Sequence, residues 1–318
     1  MEDAMEMINW SRRGVLALAA AAVAASSSRA NAQQSVPWSA GTEAAKTKAP
    51  PNATDCHHHI YSSRFPLAPT AVLRPADATI EDYRLLQKRI GTARNVIVQP
   101  STYGTDNSGL VEVLHGFGPS ARGVAVVIPS VTDDELKKLD SAGVRGIRFN
   151  IFTPGAVTSL DMVEPLAKRV AGMGWHLQVH ASADQILQSK NLWGNLPCDV
   201  VFDHLGHVPQ PTGISHPAFT VLVDLLQKGK SWVKLSGAYM ETKVGPPTYA
   251  DSSAVARAFV EAAPNRLVWG SDWPHPTEKV DKKPDDAILF DLLSAWAPDE
   301  SIRHRILVEN PAKLYNFS

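Results

Sequence analysis

Asp55-Cys56-His57-His58-His59-Ile60-Tyr61 reads as a strand that enters the protein core and leaves it carrying chemistry. Alternate side chains of a strand share a face, so His57 and His59 are expected together, with Cys56 and His58 on the opposite face. Two imidazoles about 7 Å apart along one face can converge on a metal ion or a polarised carbonyl. A histidine run is also a common surface accident, but this one opens a core strand.

Working outward, residues 53–61 are the first of eight short β-branched runs. The others are 95–99, 123–129, 144–149, 175–180, 199–203, 232–236 and 267–271. Amphipathic stretches separate them. Thr79 and Thr132 stand before acidic first turns, as helix N-caps do, and Gly91, Gly143 and Gly174 fall where left-handed C-caps are wanted. Strand and helix in eightfold alternation predict an α/β fold, a single-domain (β/α)8 TIM barrel over residues 53–318, closed by a helix near 299–307. A doubly wound open sheet is the alternative, but no Gly-x-Gly-x-x-Gly turn follows the first strand.

The 318-residue chain is 44% hydrophobic and 20% charged, enough for one large core. Its formal net charge of −1 gives no electrostatic case for nucleic acid. Ser11-Arg12-Arg13-Gly14 precedes a small apolar run to Ala25 and then Ala30-Asn31-Ala32. Residues 1–32 are therefore expected to be a twin-arginine-type signal peptide cleaved after Ala32, delivering the protein to the periplasm. A general-secretion signal or a surface helix is the plainer alternative. The run is too short for a stable membrane anchor. Residues 33–52 read as a flexible lead-in. Cys56 and Cys198 both fall in expected core strands and are read as buried thiols, not a disulfide framework.

Later strands end in similar groups. Gln178-Val179-His180 closes the fifth, Phe202-Asp203-His204-Leu205-Gly206-His207 the sixth, and Trp269-Gly270-Ser271-Asp272-Trp273-Pro274-His275 the eighth. In a barrel these C-terminal ends meet on one rim, where active sites of this fold lie. A lone histidine at a strand end is usually structural; four with an aspartate, on four strands, form a pattern.

That pattern resembles the amidohydrolase superfamily, in its amidohydrolase-2 branch, near the 2-pyrone-4,6-dicarboxylate lactonases and the sugar-acid and muconolactone lactonases. The likeness rests on the first-strand run with Arg64-Phe65-Pro66, on Val201-Phe202-Asp203-His204-Leu205-Gly206, on the eighth-strand motif and on Asn310-Pro311-Ala312-Lys313-Leu314-Tyr315. It covers residue 53 to the end. The resemblance implies a single divalent metal, zinc by ligand chemistry, held by His57, His59, His180 and Asp272, with His204 beside it orienting water or substrate. The bridging residue of binuclear relatives is replaced by Arg148, so two metals are not expected. Some lactonases of the branch work without metal, and a metal-independent site, with imidazoles and Arg148 as electrophiles, stays open.

The expected reaction is hydrolytic opening of a lactone of a carboxylated or hydroxylated acid. Asp272 would be general base, with His204 and His180 assisting. Arg148 and Arg64, with Arg74, would bind an anionic small molecule, and Ser101, Tyr103 and Tyr239 would supply hydrogen bonds. A metal-dependent decarboxylase, a lactone isomerase and, more distantly, a non-catalytic periplasmic binding protein are the alternatives. A homo-oligomer is left open.

Overall fold

Eight parallel strands run in sequence order around one sheet: β1 (Thr54–His58), β2 (Arg94–Val98), β3 (Ala121–Ala125), β4 (Val144–Asn150), β5 (His176–His180), β6 (Val200–Phe202), β7 (Ser231–Leu235) and β8 (Leu267–Trp269). They belong to a computed structural model that describes residues 35–153 and 156–318. The expected signal peptide lies outside the described residues. The sheet closes beyond the end of β8, where Asp272 N–H donates to His57 O (2.8 Å) and His59 N–H to Trp273 O (2.8 Å). Every expected strand is present, and the (β/α)8 barrel is the fold.

The helices begin and end where their sequences dictate. Thr79 and Thr132 each form a reciprocal capping box, with Asp82 and Glu135 respectively. Gly91 and Gly174 end their helices in the left-handed region that glycine adopts without strain. The closing helix begins at Glu300, as expected near 299, but continues through a π-helical turn at Arg305–Glu309 into Asn310–Tyr315.

The barrel interior is layered along the strands. At the N-terminal end, Cys56, Val96, Val98, Val124, Val201, Trp232 and Val268 pack with Leu314, Tyr315 and Phe317 from the chain terminus. Arg94 and Arg122 lie over the Phe317 ring and donate to Ser318 O and Asn316 O. The C-terminal segment thus plugs that end with apolar and cation–π contacts. On β7, Trp232 belongs to this plug, Lys234 stands one step higher, and Ser236 reaches the opposite mouth.

Three expectations are corrected. Residues 35–52, read as a flexible lead-in, lie against the barrel: Val36 is buried, Pro37 O accepts from Trp273 Nε1, and Lys46 and Thr47 N–H donate to Asp291. Backbone hydrogen bonds dock this stretch, and composition does not report those. Cys198 precedes β6 and is only partly buried, whereas Cys56 is fully buried. Cys56 also joins the interior plug instead of sharing the outward face of His58, because a bulge between Asp55 and His58 breaks strict alternation.

Candidate active site

The site begins at the seam between β1 and β8. Asp55 accepts hydrogen bonds from His57 N–H (3.1 Å), Ser271 N–H (2.9 Å), Ser271 Oγ (2.6 Å) and Tyr83 OH (2.9 Å), clamping the first strand to the turn after the last. Burial pushes its carboxyl up to about 6, against the pull of these donors. Gly270 is required here, since a Cβ at that position would stand 2.6 Å from His57 Cβ. His58 points away from the site, stacked on Tyr83 with ring centroids 3.6 Å apart. Burial holds its imidazole neutral, with a pKa of about 3.

His57 and His59 converge as expected, with Nε2 atoms 3.3 Å apart. Asp272 Oδ1 lies 3.5 Å from His57 Nε2, 3.6 Å from His59 Nε2 and 3.8 Å from His204 Nε2. Its other oxygen accepts a 2.6 Å hydrogen bond from Tyr239 OH, which turns Oδ1 toward the imidazoles. Tyr239 is backed by His275 (3.2 Å), and His275 by the buried Asp286 (3.1 Å). Burial opposes ionisation of Asp272, but His204, His59 and His57 outweigh it and hold the carboxyl well below the usual range. Asp272 and His275 both have positive φ, 63° and 54°, as do His204 and His207 at 50° and 48°. Such backbone is costly for non-glycine residues and collects at functional sites.

These ligands fit a metal ion. Val98 O, which can only accept, faces His59 Nδ1 at 2.7 Å, so the lone pair of neutral His59 lies on Nε2. That lone pair, His57 Nε2 and Asp272 Oδ1 lie 3.3–3.6 Å apart. Ligand atoms around a tetrahedral zinc with bonds of ~2.0–2.1 Å are separated by about 3.4 Å. That spacing singles out His57, His59 and Asp272; among the described residues His57, Asp203 and His204 form a second group that could hold an ion. His180 stands apart from the first, stacked on Phe152 and beside the His207 ring. His204, expected beside the ion, is the third imidazole facing Asp272 Oδ1, at 3.8 Å.

Beneath this cluster lies a polar layer that the sequence reading missed. Lys234 is fully buried and donates to Cys56 O (2.8 Å) and Gln178 Oε1 (2.7 Å), with His57 Nδ1 at 3.4 Å. Burial lowers its pKa to about 8, leaving an ammonium at neutral pH. Asp203 answers it: Oδ1 lies 3.3 Å from His57 Nδ1 and 3.7 Å from Lys234, while Oδ2 accepts from Gln178 (3.1 Å) and faces Arg148 at 3.4 Å. Burial works against the Asp203 charge, yet His57, Lys234 and Arg148 hold it well below the usual carboxylate range. Burial, then Lys234, depresses His57, so its imidazole is neutral, as a metal ligand must be. The available signal was Lys234 between Trp232 and Ser236 on one face of an apolar strand.

Above the cluster opens a cavity of about 430 Å³, whose lining includes His59, His204, Asp272, Arg148, His180 and Ser101. Not every expected substrate residue is there. Arg64 is exposed and paired with Glu112, and Tyr103 is tied to the Ser62 backbone. Neither lines the cavity. Arg74 is exposed, with Nε on Ala71 O. Tyr239 acts on Asp272 instead of facing the cavity.

Residues 54–317 match the family model described as Amidohydrolase. The chain belongs to the amidohydrolase family. It is 35% identical over 294 residues to a 2-pyrone-4,6-dicarboxylate hydrolase of Comamonas testosteroni, covering 87% of this chain and 94% of that one. A 4-sulfomuconolactone hydrolase of Rhizobium radiobacter is 34% identical over 273 residues, covering 84% and 90%. An apo crystal structure from Agrobacterium tumefaciens superposes with a TM-score of 0.82 at 30% identity, over 88% of this chain and 99% of that one. The two hydrolases fall in the lactonase-like branch that the motifs resembled. Among the described residues no helix is long and apolar enough to cross a membrane.

Proposed function

We propose that this protein is a lactone hydrolase acting on a carboxylate-bearing small molecule. The observation that carries the reading is the placement of Asp272: a buried carboxylate on the floor of the cavity, one oxygen held by Tyr239 and the other facing three imidazoles. The lactonase relatives support it. Asp272 accepts a proton from water as the oxygen adds to the lactone carbonyl carbon, then returns it to the ring oxygen as the acyl–oxygen bond breaks. Water and lactone become one hydroxy acid. His204, with Nδ1 3.0 Å from Ser236 Oγ, directs Nε2 toward the developing oxyanion. Arg148 holds a substrate carboxylate beside it.

A divalent ion, zinc by its ligand preference, would be held by His57, His59 and Asp272, and when bound would polarise the carbonyl and acidify the water. Asp203 and Lys234 fix His57 behind it, as outer-shell partners of metal ligands do. His180 shapes the wall through Phe152. We also propose that residues 1–32 direct export to the periplasm, which N-terminal sequencing of the fractionated protein checks.

The test combines metal content per chain, in protein purified without chelator, with acid release from a panel of lactones. About one zinc or manganese per chain and lactone opening that Asp272→Asn abolishes are the expected results. Carbon dioxide release without acid production would instead make the protein a decarboxylase.

A further inference from the structure

The charges around the cavity are lopsided. Among its described lining residues Arg148 is the one fixed cation, against the carboxylates of Asp272, Glu241 and Glu278. Arg148 is only 6% exposed and already faces Asp203, so it has room for one substrate carboxylate at its cavity edge. Glu241 lies on the loop after β7, its side chain 32% exposed and 3.0 Å from His207 Nδ1. Glu278 lies on the loop after β8. Lys283, which partly offsets Glu278, directs its Nζ to His275 O and does not line the cavity. The loop arginines that could have matched a second anion, Arg64 and Arg74, do not line it either. Between floor and rim the walls are largely apolar, from Val72 and Leu73 on one side to Phe152, Val157 and Met240 on the others.

From this we infer the substrate class: a lactone with a single carboxylate, gripped by Arg148, and an apolar arm running along Leu73, Phe152 and Met240, with dianionic lactones rejected by Glu241 and Glu278. The inference rests on the hydrolase reading above and deepens it. An apolar arm gains by leaving water against those walls. A second anion at the rim would lose its hydration and meet two like charges, a combination that selects against a ligand more strongly than missing contacts do.

The experiment compares two ring-matched substrates with the full chain: 2-pyrone-6-carboxylate bearing a propyl group at C4, and 2-pyrone-4,6-dicarboxylate. The expected result is a kcat/KM at least tenfold higher for the propyl monoacid. The Glu241→Gln, Glu278→Gln double variant, which keeps side-chain shape, should move that ratio at least fivefold toward the diacid. A wild-type preference for the diacid, or a ratio the double variant leaves unchanged, overturns the inference. If neither pyrone is opened, the hydrolase reading is judged separately, on the lactone panel. Calorimetry with the non-hydrolysable analogues 3-propylbenzoate and benzene-1,3-dicarboxylate then decides the ligand class: tighter binding of the monoacid upholds it, and tighter binding of the diacid ends it.

Discussion

The loops that follow β1 and β8 both carry conspicuous polar residues, and the structure treats them in opposite ways. The first part of the β8 loop, residues 270–275, is sunk into the protein. Ser271, Asp272, Trp273 and His275 are nearly or wholly buried, tied to β1 through Asp55 and to residues 35–40 through Pro37 O. Past Tyr61 the β1 loop faces water: Arg64 pairs with Glu112 at the surface and Val72 is 79% exposed, and what this part of the loop gives the cavity is the largely apolar edge Thr70–Leu73. The buried loop holds its chemical groups in place through hydrogen bonds. The exposed one sets the shape of the entrance. A charged side chain near a catalytic motif is therefore a poor guide to function unless its loop is held down.

The comparison can be broken, and the largest expected effect lies in the buried half. Asp272→Asn should lower kcat about 10³-fold with an unchanged melting temperature; retained turnover would remove Asp272 from the mechanism. Next comes Lys234→Met, which strips the ammonium from the layer supporting His57 and leaves Asp203 with fewer charge partners. A loss of about 3 kcal/mol in urea unfolding is expected, and an unchanged midpoint would mean Arg148 alone suffices.

The buried half also predicts acid sensitivity. His58 and His176 are neutral in the folded chain, burial holding each at a pKa of about 3, against about 6.5 when unfolded. A depressed folded pKa gives stability that is present above 6.5 and is lost as pH falls toward 3. Each should cost about 2 kcal/mol at pH 5 relative to neutral pH. A flat unfolding free energy from pH 7 to 5 would contradict it.

Tyr239→Phe frees Asp272 Oδ2 and should reduce kcat roughly tenfold while KM changes little; a KM effect alone would make Tyr239 a binding residue. At the bottom of the scale, Arg64→Ala should leave kcat/KM within about twofold and stability within about 0.5 kcal/mol. A tenfold loss there would reverse the contrast between the loops.

How much was legible depended on whether the signal was local. The strands, the capping boxes at Thr79 and Thr132 and the pairing of His57 with His59 follow from period and neighbours along the chain, and all are present. His180 illustrates the limit: its place at the end of β5 was readable, but the ring orientation that sets it against Phe152 and apart from the His57, His59 and Asp272 group was not.

The sequence by itself determined the barrel, the rim on which the histidines gather and Asp272 as the carboxylate among them, because side-chain period and strand order are properties of the chain. Only the tertiary structure decided that Lys234 and Asp203 underlie His57, that Asp55 locks the seam, that residues 35–52 dock, and that the cavity has one fixed cation among its described lining residues. Those facts depend on contacts between residues as many as 247 positions apart. They are set by burial, where an unpaired charge or amide is too costly to leave, and no local pattern encodes which distant group will answer it.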